Sequence, residues 1–443
     1  MTQHLERILV HPSRRFLMTE GGVPFFWLAD TAWELIHRCS REEIDIYLRT
    51  RSQQGFNVIQ TVVLAEMDGL RIPNMEGQLP LMDEDPTQPN EKYFDLVDFV
   101  IQRAAEYGLY VALLPTWGDK VTVMWGKGPV VFNDQNAYQY AEFLAQRYAS
   151  ATNLIWMLGG DRPMRHGEND WRSVWRAMAL GIRSVLGAQA FITYHPNGDR
   201  NLADGAALVY AEDWADLVTF QSSHSARNIP CWEMADELYH RFPSKPVLDS
   251  EPNYEDHPVA PWPVWNPENG YFRDEDVRRA MYRSVFAGGC GATYGHHFIW
   301  QFYTPEREAV NNGNELIPWR EAILRPAATQ VHYLKELMLS RSFFTRRPCQ
   351  SLLASSPGEG VEHVRACRDT QSEWGMVYFP CAGQAVELNL SKLTVPLKAS
   401  WFNPRTGVYT EAGQYSCDTV QLFTSPLEDG PDWVLVLDAI HYE

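Results

Sequence analysis

Short runs of apolar, β-branched and aromatic residues alternate with longer segments of helical period, eight times in succession. Strands separated by helices pair in parallel, because an antiparallel neighbour would be reached by a tight turn. Eight such units predict an α/β fold, a closed (β/α)8 TIM barrel. The expected strands are Pro24–Asp30, Phe56–Val63, Tyr110–Trp117, Asn153–Gly160, Phe191–His195, Leu217–Ser222, Pro246–Glu251 and Ala292–His296. The helix after strand one has Ser40 as its N-cap and Gly55 as its stop. Between strands five and six, NLADGAALVY leaves room for only a short helix. A last helix is expected over Arg320–Ser340.

After about Ser342 the period changes to short alternating segments, from SLLAS and EHVRACR to DWVLVLDA, spaced by turn residues. That pattern predicts a small all-β sandwich. The expected domains are a barrel over 1–341 and a sandwich over 342–443.

Lys and Arg total 38 against 56 Asp and Glu, a net charge of −18. Surfaces that bind nucleic acid or anionic membranes want the opposite sign. No run approaches 18 apolar residues, the length a membrane span needs. The first residues lack the apolar stretch of a secretory signal, so a cytoplasmic location is expected. The seven cysteines are odd in number and contain no CxxC. They indicate neither a disulfide framework nor a zinc knuckle. Aromatic residues make up 13% of the chain, and sugar rings stack on such side chains.

Active sites of these barrels lie at the C-terminal ends of the strands. Strand one ends in Asp30, with Trp33 beyond. Strand two contains Gln60 and leads to Glu66 and Asp68, and strand three ends in Trp117. Strand five gives Tyr194, His195 and then Asn197, and strand six gives Gln221 and then His224. Tyr254 follows strand seven, and strand eight gives His296 with Trp300 beyond. These residues form the expected substrate-binding set. Trp33, Trp117, Tyr254, Trp262 and Trp300 are candidate walls for a sugar ring and equally candidates for core packing.

Two carboxylates stand apart. Asp161 follows Gly159–Gly160, which clear bulk beside the acid. Glu251 precedes Pro252, and strand alternation places it on one face with Asp249 and Val247. Strands four and seven lie on opposite sides of an eight-stranded barrel, so the two acids face each other across its mouth. Glycoside hydrolysis uses such a pair, about 5–5.5 Å apart for retention or about 6.5–9.5 Å for inversion. Both outcomes stay open. So does a structural reading, with Asp161 paired to the adjacent Arg162 or capping a helix. Neither HxH nor HExxH occurs, and adjacent His296 and His297 cannot both point inward on a strand, so no metal site is expected. GxGxxG, GxxxxGK[ST] and GxSxG are also missing. A non-catalytic carbohydrate-binding barrel and a metal-dependent hydrolase are the alternative readings.

The string RFLMTEGGVPFFWLADTAWEL resembles the entry motif of the apiosidase-like glycoside hydrolases, which include glycoside hydrolase family 140. GFNVIQTVVL, YGLYVALLPTWG, NLIWMLGGDRP, TYHPNG and VLDSEPNYE are similar to its strand signatures, and WFNPRTG and DWVLVLD to its C-terminal sandwich. The resemblance implies a barrel of the retaining-glycosidase clan. Its acid/base would be Asp161, after strand four, and its nucleophile Glu251, after strand seven. Common barrels of that clan carry Asn-Glu after strand four, where this chain has Gly160–Asp161. The resemblance also implies a carbohydrate substrate, with plant-derived pectic glycosides as one class, and no cofactor.

Overall fold

The computed structural model describes residues 5–198, 202–259, 266–310, 315–416 and 419–441. The barrel strands are β1 (Trp27–Thr31), β2 (Val58–Leu64), β3 (Tyr110–Thr116), β4 (Leu154–Gly159), β5 (Ile192–His195), β6 (Val218–Phe220), β7 (Val247–Asp249) and β8 (Gly291–Tyr294). Parallel strands buried on both faces read as continuous apolar runs, as VIQTVVL of β2 does. Val58, Val62, Ala112, Leu114, Ile155 and Met157 fill the barrel interior. Ile59, Val63, Val111, Leu113, Trp156 and Leu158 face the surrounding helices.

The sheet runs β5-β4-β3-β2-β1-β8 as one parallel ladder, and β6 pairs with β7 separately. Single backbone hydrogen bonds bridge the two seams. Asp216 N–H donates to Ile192 O (2.7 Å), and Cys290 N–H donates to Val247 O (2.8 Å).

The helices between the strands are α1 (Arg41–Gln53), α2 (Glu91–Glu106), α3 (Asp134–Arg147), α4 (Arg172–Leu186), α5 (Leu202–Ala211), α6 (Cys231–Arg241) and α7 (Asp274–Phe286). Ser40 and Glu43 form a reciprocal capping box at the start of α1. The expected Arg320–Ser340 helix is instead three short ones, Trp319–Ala322, Pro326–Gln330 and His332–Leu339. Pro326 has no N–H to continue a helix, and Arg325 before it is extended. The expected first strand is also divided. Pro24–Phe25 joins an antiparallel sheet with Ile8–Val10 and Leu17–Thr19, and only Trp27–Thr31 enters the barrel. Ile8, Leu17 and Phe25 pack into the interior cluster at its base.

The C-terminal strands are β9 (Arg346–Pro348), β10 (Arg365–Asp369), β11 (Trp374–Phe379), β12 (Ala385–Asn389), β13 (Leu397–Phe402), β14 (Tyr409–Tyr415), β15 (Val420–Thr424) and β16 (Trp433–Ala439). They form an antiparallel sheet, β9-β10-β11-β16-β13-β14, and a two-stranded ribbon, β12-β15. SLLAS holds a 3-10 turn instead of a strand. Strand alternation divides the sheet's side chains. Met376, Tyr378, Val434 and Val436 pack on the barrel, while Val377, Phe379, Leu435 and Leu437 pack under the ribbon.

Arg278 on α7 crosses this interface to Asp432, with Nη2–Oδ1 and Nε–Oδ2 both 3.0 Å. Arg405 Nη1 (2.6 Å) and the Tyr378 hydroxyl (3.1 Å) donate to the same carboxylate. Arg278 and Asp432 are both buried. Asp432→Ala would leave Arg405 without its counter-charge and Arg278 with only Asp274, and a loss of about 3–5 kcal/mol is expected in equilibrium denaturation. A loss under about 1 kcal/mol would show that the network adds no net stability.

Candidate active site

Asp161 and Glu251 are brought together at the mouth of the barrel. After β4 the chain passes through Gly159 (φ 91°), Gly160 (φ 101°) and Asp161 (φ 53°). A Cβ on Gly159 would lie 2.3 Å from His195 O, and one on Gly160 would lie 2.8 Å from Gly118 N. Only glycine fits both places, and their turn carries Asp161 over the barrel. A left-handed Asp is uncommon and marks a conformation that its surroundings must hold.

Glu251 arrives differently from the alternation expected of it. β7 ends at Asp249, and Val247 faces outward into the cluster around α6. Asp249 accepts hydrogen bonds from the Ser222 N–H (3.1 Å) and hydroxyl (2.6 Å). The chain then bends at Ser250 and Glu251, and the Glu251 carboxylate turns into the mouth.

His195 links the two acids. Its Nδ1 accepts the Asp161 backbone N–H (3.3 Å), which leaves the ring proton on Nε2. Nε2 lies 3.0 Å from Glu251 Oε2, close but off the line of a good hydrogen bond. Such contacts tighten when substrate binds. His224 Nε2 is 3.1 Å from the other oxygen, Oε1.

Burial alone would raise Glu251, but the contacts with His195 and His224 outweigh it and hold this carboxylate well below its ordinary range. Burial and then the charge of Glu251 push Asp161 the other way, above its ordinary value. The two environments push the carboxyls apart, so that Glu251 ionises first and Asp161 holds a proton up to about pH 6. Glu66 sits near Asp161, and burial followed by the Asp161 charge raises it to about 8. Its loop is anchored by buried Glu34, which accepts the Met67 N–H (3.2 Å).

Trp33, Trp117 and His195 pack at the base of the site, with Trp33 5.1 Å from each of the other two rings. Trp33 and Trp117 are buried, so they form a floor rather than open walls. Trp33 Nε1 donates to the Tyr254 hydroxyl (3.1 Å), which also faces Glu251. Trp300 belongs to the same interior cluster. Gln60 points into the barrel and donates to Ser250 O (3.1 Å), below Glu251. Gln221 is buried, and no partner meets its Oε1 among the described residues. Asp68 and Asn197 are half-buried in the loops after β2 and β5. Trp262 lies outside the described residues.

Three expected residues point away. Asp30 faces outward to α1, where Arg51 Nε (2.5 Å) and the Tyr47 hydroxyl (2.5 Å) bind it. Tyr194 faces α4, packs on Trp175 and donates to Arg162 O (2.8 Å). His296 caps a short helix and lies 3.2 Å from Asp256, which Arg325 and Arg273 also hold. Each sits one residue out of phase, and a one-residue step reverses a strand side chain's direction. His297, not His296, is on the side of His257 and His224; its ring meets His257 edge-on at 4.8 Å, and His257 lies tilted against His224 at 4.4 Å. Among the described residues no group of three His, Cys, Asp or Glu is placed to hold a metal ion.

One further residue of the site, Trp125, lies in the long loop after β3 and has no signal in the sequence pattern. Its indole N–H donates to Asp161 Oδ2 (2.9 Å), and the Arg162 guanidinium lies over its ring (4.1 Å to the centroid). No periodicity or strand end marks that position.

Residues 11–345 match the family model described as apiosidase-like, catalytic domain. Residues 348–438 match a model described as a collagen-binding domain of a collagenase. A solved structure titled "Glycoside hydrolase" is 31% identical over 98% of this chain and 97% of its own, with a TM-score of 0.87. A glycoside hydrolase family 5 structure from Bacteroides vulgatus is also 31% identical, over 98% and 93%, with a TM-score of 0.86. A second Bacteroides vulgatus structure, 15% identical with a TM-score of 0.70 over 99% and 83%, shares the fold. No curated protein matches. The chain belongs to the apiosidase-like family and is a glycoside hydrolase, built as a family 5-like barrel followed by an antiparallel sandwich.

Proposed function

We propose that this enzyme hydrolyses its glycoside with retention, with Glu251 as nucleophile and Asp161 as acid/base, and that its substrates are plant-derived apiosides. One observation carries the mechanism. Glu251 is kept ionised by His195 and His224, while Asp161 across the mouth is biased to hold a proton.

In the first step a Glu251 oxygen attacks the anomeric carbon as the glycosidic C–O bond breaks. Asp161 delivers its proton to the departing oxygen. A glycosyl ester on Glu251 results. Asp161, now ionised, takes a proton from water as that water attacks the anomeric carbon and Glu251 leaves. His195 keeps Glu251 oriented through both steps. Glu66, raised to about 8, is largely protonated at neutral pH and can donate to a sugar hydroxyl. The apioside reading rests on family membership.

The test is proton NMR of the product in the first minutes of hydrolysis. The anomer first seen should have the configuration of the substrate. The opposite anomer would overturn the retaining assignment.

A further inference from the structure

We propose that Trp125 and its loop form the subsite for the leaving group, and that this subsite takes an aglycone with a flat or apolar face, such as an aromatic ring or a second sugar. The proposal rests on the assignment of Asp161 as the proton donor and deepens it.

The donor acid must touch the glycosidic oxygen, so whatever flanks that acid on the side away from the nucleophile meets the departing group. Glu251 follows β7, whereas Trp125 comes from the β3 side of β4 and reaches Asp161 through its Nε1–H. Oδ2 of Asp161 is thereby held, by Trp125 at 2.9 Å and with Arg162 Nη1 at 3.5 Å. In this reading Oδ1 is the oxygen that carries the proton to the glycosidic oxygen.

The indole has two unequal faces. Arg162, itself fully buried, covers one at 4.1 Å. Trp125 itself remains half-buried, so part of the ring that Arg162 does not cover is open to a ligand. Val123, two residues earlier, is exposed. The loop is built to hold this pose. Asp119 accepts the N–H groups of Lys127 (3.2 Å) and Gly128 (2.8 Å). Lys120 pairs with Asp119 (2.8 Å) and donates to Ala65 O (2.8 Å), both of its side-chain contacts being buried. Gly126, at φ 94°, lies where a Cβ would come within 3.0 Å of Arg162 and Asp119. A preorganised aromatic platform binds a ring at little entropic cost.

The experiment compares wild type, Trp125→Phe and Trp125→Ala on matched 4-nitrophenyl and methyl glycosides of β-D-apiofuranose, α-L-arabinofuranose and β-D-xylopyranose. The methyl aglycone has no face to stack. Trp125→Ala should raise KM for the 4-nitrophenyl form about ten-fold or more, and leave KM for the methyl form within about two-fold. Trp125→Phe, which keeps a ring and loses the N–H, should stay near the wild-type KM on both. Equal losses on both forms would make Trp125 merely structural and overturn the subsite. Wild-type turnover of arabinosides or xylosides but not apiosides would overturn the apioside reading alone, since the Trp125 comparison then runs on the active pair. No turnover of any pair would overturn both.

Discussion

Glu251→Gln is expected to lower turnover by about 10⁴-fold or more while the protein stays folded. An amide has nearly the shape of the carboxylate but cannot attack an anomeric carbon or leave from a glycosyl ester. That factor corresponds to about 5.5 kcal/mol of barrier. The surroundings explain why the loss is not diluted by a substitute. Asp161 stands after β4 on the other side of the mouth, and Asp249 points outward to Ser222. The same variant should be modestly less stable than wild type at neutral pH. Glu251 has its pKa lowered by folding, so its stabilisation is present above the ordinary carboxylate range and lost as pH falls through the folded value. The difference in melting temperature should therefore close in acid. Near-normal turnover on a verified substrate, with an intact melting transition, would remove Glu251 from the mechanism.

The positions of both acids were legible because they depend on chain topology rather than on side-chain direction. Alternating strands and helices predict a barrel, and Gly159–Gly160 and Pro252 mark where the chain leaves β4 and β7. Side-chain direction was less legible. Asp30, Tyr194 and His296 each stand beside an inward position at a strand end, and the phase there depends on where the strand stops. Glu251 shows the same effect in reverse. Alternation groups it with outward Val247, and only the bend after Asp249 brings it inward. Trp125 is a residue of a different kind. Its place over Asp161 is set by the buried Asp119–Lys120 pair and by the contact with Arg162, long-range packing that leaves no period in the sequence.

Asp161→Asn should separate substrates by the quality of their leaving groups. Asn is the replacement of choice because it tolerates the left-handed backbone at φ 53°, whereas Ala would add strain. A methyl glycoside, whose departing alkoxide needs a proton, should lose about 10²–10⁴-fold in kcat/KM. A 2,4-dinitrophenyl glycoside needs no proton, so its first step should be nearly intact. Its second step should stall, because no base remains to activate water, and the glycosyl ester on Glu251 should accumulate as a burst. Azide, which attacks without a base, should restore turnover and give a glycosyl azide of retained configuration. The pH profile adds a second sign. Wild-type kcat/KM should fall above about pH 6 as Asp161 loses its proton, and the variant should lack that limb. Stability should move opposite to that of Glu251→Gln. Folding raises the Asp161 pKa, so wild type loses stability as pH rises through the ordinary carboxylate value to the folded one. The Asn variant should therefore melt higher than wild type at pH 7 and no higher at pH 3. Equal losses on the methyl and dinitrophenyl substrates, without azide rescue, would show that Asp161 supports the fold of the mouth instead of handling the proton.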